Sequence, residues 1–305
     1  MRDARRVVRA LAMPRAPTVA LRDGVAMPRL AFGTYTLAGD ACRDAVRDAL
    51  VVGFRHVDTA TCYRNERAVG EAVRASACRD EVFLTSKIAP KEMTSEEATT
   101  SAIEGVIERL GRAPDLLLVH WPGEAKHAPG SETHRHARER TWRVFERALA
   151  AGKARAIGVS NFEIRHLEEL LAYARVRPSV NQVELHPRFN QRALREFCAK
   201  HGIHIQGYSP LGVGSLLSDA RALEYAEKIG MAPAPALVRW ALTREPECSV
   251  VVKSTAKTRT EENFTALRAN TAKASEDDIR AHADALEKAF ETTQSKECWD
   301  PSVVR

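Results

Sequence analysis

The chain has 305 residues, 44% of them apolar, and a formal net charge of +6. That length holds either two ordinary domains or one large α/β barrel, the apolar fraction belongs to a globular protein with a sizeable core, and no apolar run approaches a membrane span. Arginines are scattered along the whole chain, which argues for a generally basic surface or a small anionic ligand more than for a nucleic-acid face.

Residues 1–17 are Arg-rich and nearly free of acids. Their weak amphipathicity permits a mitochondrial-type transit peptide, but they are short and lack serine, which favours a disordered arm. The domain proper is expected over 18–305. It opens with a hairpin, Thr18–Leu21 and Val25–Pro28, around the turn pair Asp23-Gly24. Apolar strand-like runs then recur at Leu30–Thr34, Arg55–Asp58, Val82–Lys87, Leu116–His120, Ala154–Val159, Ser179–Val183, Ile203–Tyr208 and Val250–Lys253. Helical stretches separate them: Cys42–Val52, Glu66–Ala75, Ser95–Leu110, Arg140–Ala151, Glu163–Ala174, Arg192–Lys200, Pro235–Thr243 and Arg259–Leu267. About eight strand–helix units without a composition break predict one (β/α)8 TIM barrel. A doubly wound dinucleotide sheet is rejected, because the nearest Gly-x-Gly, Gly212-Val213-Gly214, comes late and lacks the third glycine.

Two stretches exceed what the barrel needs. Pro122 to Glu139 carries His127, His134 and His136; with no cysteine or H-E-x-x-H context it reads as a solvated loop, and no metal site is expected. Ser275, followed by Glu276, Asp277 and Asp278, opens an extra C-terminal helix with a serine cap and an acidic first turn. The tail from Thr292 follows it. The cysteines at 42, 62, 78, 198, 248 and 298 show neither C-x-x-C nor a disulfide spacing, which places the protein in a reducing, cytoplasmic compartment.

Nearly every barrel strand ends in a polar side chain: Asp58, Lys87, His120, Ser160-Asn161, Gln182, Tyr208-Ser209 and Lys253-Ser254. In a parallel barrel all of these meet at one face, where catalytic groups collect. The stretch Gly53 to Glu66 is the densest, delivering Asp58 at a strand end and Tyr63 in the turn after it.

With "GFRHVDTATCYRNE", "LTSK", "LLLVHWP", "AIGVSNF", "NQVELHP", "GYSPLG" and "KSTAKTRTEEN" in place, the chain resembles the aldo-keto reductases from about Val19 to Pro301. It is most similar to the diketogluconate reductase and prostaglandin F synthase-like branches. The resemblance implies a catalytic tetrad at Asp58, Tyr63, Lys87 and His120. Reduction of a carbonyl needs a proton for the developing alkoxide, and a tyrosine phenol, with a reference pKa near 10, is a weak donor at neutral pH. Lys87 is expected to lower that pKa, Asp58 to balance Lys87, and a neutral His120 to orient the carbonyl.

The resemblance also implies a nicotinamide cofactor. Thr34 and Asp58 border it, Ser160, Asn161 and Gln182 hold its carboxamide, Tyr208 stacks on its ring, and Ser209, Leu211 and Ser215 belong to a pyrophosphate strap. Lys253, Ser254, Thr255 and Arg259 bring cations and hydroxyls to a helix start, where Thr258-x-x-Glu261 reads as a capping box. Such a group suits a 2′-phosphate and selects NADPH over NADH; Glu262 and Asn263 match the family's adenine contacts. Tyr35, Tyr63, His120, Trp121 and Trp299 would line a pocket for a small carbonyl substrate. The expected protein is a monomeric NADPH-dependent reductase of aldehydes and ketones, an alcohol dehydrogenase (NADP+)-type enzyme with no nucleic-acid or membrane partner. The alternative is a non-catalytic NADPH sensor or structural protein on the same barrel, and the intact tetrad separates the two. A phosphate-site isomerase would use Lys253 but leaves Ser160, Asn161, Gln182 and Tyr208 without a purpose.

Overall fold

The hairpin and the strand–helix alternation are both present in the computed structural model, which describes residues 16–268 and 271–304. β1 (Thr18–Ala20) and β2 (Ala26–Pro28) pair antiparallel, with Gly24 supplying the positive φ of 75° that the turn requires. Eight parallel strands follow: β3 (Leu30–Gly33), β4 (His56–Asp58), β5 (Phe83–Ile88), β6 (Leu116–Val119), β7 (Ala156–Ser160), β8 (Val180–Glu184), β9 (His204–Tyr208) and β10 (Cys248–Val252). They close into a barrel, β10 pairing with β3. The helices are α1 (Gly39–Val52), α2 (Glu66–Ala75), α3 (Glu96–Leu110), α4 (Thr133–Ala150), α5 (Ile164–Tyr173), α6 (Arg192–Lys200), α7 (Ala220–Ile229), α8 (Pro233–Leu242), α9 (Lys257–Phe264) and α10 (Glu276–Ala289).

The strand sequences follow from burial on both faces, which gives continuous rather than alternating apolar runs. In β6, Leu116 and Leu118 join Leu21, Val25 and Met27 of the hairpin region in the cluster that fills the lower barrel. Leu117 and Val119 face the other way, into the layer shared with the helices. The hairpin thus closes the end of the barrel where the strands begin. The opposite end, where the strands stop, is left to polar side chains.

Three expectations are corrected. Residues 1–15 of the expected arm lie outside the described residues, but Ala16 is buried and the Pro17 carbonyl accepts from Arg29 N at 2.8 Å, so the arm's last two residues pack with the domain. α4 begins at Thr133, which puts His134 and His136 in a helix instead of a loop. His134 is buried: its Nδ1 accepts from Glu124 N at 3.2 Å and its Nε2 donates to Ala128 O at 2.9 Å. α7 was missed, although Ala222, Tyr225, Ala226 and Ile229 have helical spacing and Asp219 caps it by accepting from Arg221 N at 3.0 Å. Among the described residues no helix is long and apolar enough to cross a membrane.

The extra C-terminal helix does form, with Ser275 Oγ accepting from Asp278 N at 3.2 Å. One carboxylate docks it. Glu287, 2% exposed, accepts from Arg195 at 2.8 Å and Arg244 at 2.9 Å, both buried, and from Arg192 at 2.9 Å. Removing one partner of such a group leaves uncompensated buried charge. Glu287→Ala should therefore cost about 3–5 kcal/mol, read as a lower urea midpoint, whereas replacing an exposed carboxylate such as Glu224 should leave the midpoint nearly unchanged.

Candidate active site

Register brings the first two groups together. Asp58 at the end of β4 has Thr85 as its neighbour on β5, and Lys87 lies two residues further along β5, hence on the same inward face. Lys87 Nζ donates to Asp58 Oδ1 at 2.5 Å and to the Thr59 carbonyl at 3.0 Å. Both side chains are buried, Lys87 completely. The chain then passes through a short 3-10 turn, Thr61–Tyr63, and reverses at Arg64, whose φ is +57°. Two polar side chains brace this turn. Asn65 donates to the Thr34 and Leu37 carbonyls and accepts from Thr59 Oγ1 at 2.6 Å. Glu92 accepts from Thr61 Oγ1 at 2.5 Å and from Ala89 N at 2.9 Å.

So braced, the Tyr63 ring centroid lies 5.1 Å from Lys87 Nζ and 5.6 Å, edge-on, from the His120 ring. All four sequence-predicted groups are assembled. Among the described residues the Tyr63 hydroxyl makes no hydrogen bond. One expectation about it is overturned: the phenol's pKa is not lowered. Burial, and then the Asp58 charge, push it well above the ordinary value. The Lys87 charge is already taken up by Asp58 and the Thr59 carbonyl, so Tyr63 stands as a neutral, fully protonated donor. His120 agrees with its expected state. Burial, then Lys87, depress its pKa to about 3, so its imidazole is neutral. Cys62 Sγ sits 3.4 Å from His120 Nδ1.

The other strand ends gather beside the tetrad, but largely by bonding each other. The Gln182 amide donates to Asp58 Oδ2 at 2.8 Å and to Gln206 Oε1 at 2.7 Å. Ser160 Oγ donates to the Gln182 carbonyl at 2.8 Å. Asn161, held at a φ of +63°, donates to the His120 carbonyl at 2.9 Å, and its Oδ1 accepts from Tyr208 at 2.8 Å. Thr34 donates to the Asp58 carbonyl at 2.9 Å. Their donors are thus occupied, while among the described residues Gln182 Oε1 accepts nothing. A bound amide would therefore find an acceptor here for one of its N–H groups.

The segment after β10 differs in detail from its reading. Ser254 Oγ accepts from Ala256 N at 3.1 Å, so α9 starts at Lys257 behind Ala256. The Thr258–Glu261 capping box does not form, and α9 has no side-chain cap. Lys253, Thr255 and Arg259 are exposed, Arg259 touching Thr255 Oγ1 at 3.3 Å. Among the described residues neither cation has an acidic partner. Uncapped helix amides with free cations make a more open anion site than a capping box would. Glu262 is partly exposed and Asn263 buried on the same helix.

At the mouth, Tyr35 contacts Tyr63 at 5.1 Å and Trp299 at 6.1 Å between ring centroids. Trp121 is partly buried next to His120. Ser209 Oγ lies 3.6 Å from Cys298 Sγ, Leu211 is partly buried, and Ser215 Oγ bonds the Gly212 carbonyl and Glu297. Two residues escaped sequence reasoning. Gln206 anchors Gln182, and Glu184 holds the C-terminal tail through Lys296 and the Glu297 and Cys298 amides. Their signal was available: each lies two positions from an identified inward-facing residue, Tyr208 and Gln182 respectively, on the same strand.

The Aldo/keto reductase family model matches residues 29–284. The chain is 42% identical over 252 residues to a 9,11-endoperoxide prostaglandin H2 reductase of Trypanosoma cruzi, covering 81% of this chain and 84% of the relative. It is 40% identical over 228 residues to a glyoxal reductase of Bacillus subtilis, covering 74% and 78% respectively. The crystal structure of a Bombyx mori aldo-keto reductase in complex with NADP superposes with a TM-score of 0.77 at 28% identity, over 89% of this chain and 93% of that one.

The His120 environment has a thermodynamic signature. Its pKa is about 3 in the folded chain against 6.5 in a free histidine. As pH falls below 6.5 the unfolded chain takes up a proton that the folded chain refuses, so this group removes stability progressively from there down to about pH 3. In His120→Gln, urea unfolding between pH 6 and 4.5 should show a slope shallower by up to about 1.4 kcal/mol per pH unit. An unchanged slope would mean that His120 titrates normally.

Proposed function

The chain belongs to the aldo/keto reductase family, and from that membership we propose that it reduces small aldehydes and ketones to alcohols with NADPH, with Tyr63 as proton donor. One observation carries the reading. A phenol with an uncommitted hydroxyl stands over a fully buried lysine–aspartate pair and beside a neutral histidine. A sensor or structural protein on the same barrel has no use for a buried ammonium at this position, which would be costly to maintain.

The residues present fit the cofactor. Lys253 and Arg259, with the uncapped start of α9, would hold a 2′-phosphate. Ser209, Leu211 and Ser215 would border the pyrophosphate, and Thr34, Glu262 and Asn263 flank the remaining contacts. The free acceptor on Gln182 suits the carboxamide, and Tyr208, tied to Asn161, presents its ring. When bound, NADPH supplies the hydride. The protein orients the carbonyl and provides the proton. His120, neutral, donates to the carbonyl oxygen and holds it towards Tyr63. As negative charge grows on that oxygen it becomes a stronger base than phenolate, so the proton moves downhill even from a phenol of raised pKa. The phenolate left behind faces Lys87, 5.1 Å from the ring centroid, which offsets its charge until a proton returns. Tyr35, Trp121 and Trp299 make an aromatic mouth suited to small, flat carbonyl compounds. All six cysteines are free, which supports a reducing, cytoplasmic setting, and a monomer is the working state.

Two experiments test the parts separately. Tyr63→Phe keeps the ring and should bind NADPH normally while single-turnover reduction of a nitrobenzaldehyde falls about 10²–10⁴-fold; retention of most activity would remove Tyr63 from its role. Arg259→Ala should weaken NADPH at least about tenfold, the loss of one charge-assisted bond, and leave NADH nearly unchanged. Equal loss for both cofactors in a fluorescence titration would refute the 2′-phosphate assignment.

A further inference from the structure

The C-terminal tail brings a wall to the expected pocket from beyond the last strand–helix unit of the barrel. Trp299 is 64% exposed yet reaches the Tyr35 ring, which in turn contacts Tyr63. Nothing about an exposed indole fixes it there. What fixes it is on either side in sequence. After it, Arg165 donates to the Ser302 and Val304 carbonyls, and His166 Nε2 donates to the Val304 carbonyl at 2.8 Å. Before it, the tail crosses the end of β8 and meets Glu184.

Glu184 is completely buried. Its Oε1 accepts from Glu297 N at 2.6 Å, from Cys298 N at 3.2 Å and from His186 Nε2 at 3.0 Å; its Oε2 accepts from Lys296 Nζ at 3.0 Å and from Cys298 N at 3.1 Å. A buried carboxylate is stable only when its lone pairs are met by donors, and here three of the four donor groups come from three consecutive tail residues. Burial alone would raise the Glu184 pKa, but the bonds from His186, the Glu297 amide and Lys296 outweigh it and hold it at about 2. Glu297, whose amide Glu184 grips, turns its own carboxylate outward to Arg188 at 2.7 Å and Ser215 Oγ at 3.1 Å. The register partner of Glu184 is Tyr208 on β9, so the grip is applied at the same level of the barrel as the expected nicotinamide-stacking ring.

We propose that Glu184 is a positioning residue for substrate selection: its buried carboxylate clamps residues 296–298 and so sets where Trp299 closes the carbonyl pocket. This rests on the reading of Trp299 as a pocket wall. Glu184 touches neither the tetrad nor the expected phosphate contacts, so its influence should appear in the fit of large carbonyls and not in the chemical step. Small substrates that do not reach Trp299 should be indifferent to it.

The test is Glu184→Gln, which keeps shape but replaces one accepting oxygen by an N–H₂ facing donors. The KM for a nitrobenzaldehyde should rise about tenfold with kcat nearly unchanged, while KM for methylglyoxal stays within about twofold. Trp299→Ala should raise the same KM, and the double variant should be no worse than Trp299→Ala alone, since the clamp acts through the indole. Trypsin cleavage after Lys296 reads tail release without turnover and should be several-fold faster in Glu184→Gln. Lys296→Met, which deletes one donor at a partly exposed site, should shift the nitrobenzaldehyde KM in the same direction by less and keeps the test open if Glu184→Gln does not fold. Equal KM changes for both substrates, additive effects in the double variant, or unaltered cleavage would overturn the clamp. Wild-type protein that binds NADPH but reduces no carbonyl would instead overturn the reductase reading, leaving the cleavage comparison to decide the clamp.

Discussion

A lysine with no exposed surface is the constraint on which the rest of the site depends. An ammonium taken out of water costs several kcal/mol unless its charge is matched and its hydrogens are all bonded. Lys87 meets most of that demand with Asp58 and the Thr59 carbonyl, which take two of its three hydrogens, and the demand then propagates. The second oxygen of Asp58 takes a hydrogen from Gln182, and Gln182 gives its other hydrogen to Gln206. Bonds of 2.5 to 3.0 Å among β4, β5, β8 and β9 tolerate little slippage, so the pair helps to hold four strands in one register. The lower barrel, filled with Leu116, Leu118, Val180 and Met27, makes the interior dry enough for those bonds to be strong.

The same constraint explains why Tyr63 is not acidified at rest. A lysine free to lower the phenol's pKa would have to be a lysine without an aspartate, and that lysine could not stay buried and charged. With Asp58 in place, burial and then the aspartate's charge hold the phenol protonated. In the proposed reaction the site would therefore stabilise what appears during the reaction more than what exists before it, which is where electrostatic help raises a rate. The segment after β10 follows the opposite design. Among the described residues Lys253 and Arg259 are exposed and have no acid beside them, an arrangement suited to attracting a charged ligand.

Much of this was legible in the sequence because strand periodicity and strand ends are local signals. The barrel follows from apolar runs buried on both faces, and Asp58, Lys87, His120, Gln182 and Tyr208 stand out because each interrupts or ends such a run. What was missed depends on partners distant in the chain. Glu184 and Gln206 lie in phase with recognised neighbours, but their purpose appears only when residues 296–298 and Gln182 arrive beside them. The Thr258–Glu261 box looked right locally and failed because Ser254, further upstream, captures the Ala256 amide and starts the helix early. His134 and His136 read as loop because prolines and glycines crowd residues 122–130, although the helix resumes soon after at Thr133.

β8 ties the tetrad to the C-terminal tail. Gln182 and Glu184 are two residues apart, so both point into the barrel. Gln182 completes the network beneath the tetrad, and Glu184 holds the tail above it. One short strand therefore sets both the floor of the site and the position of the tail beside its mouth. The floor is built from neighbours in the barrel and cannot shift without breaking register. The tail is joined to that strand by hydrogen bonds from a few residues, so its sequence can change while the Asp58–Lys87 pair is left undisturbed. A fold arranged in this way can vary the carbonyl it admits without altering how it would be protonated.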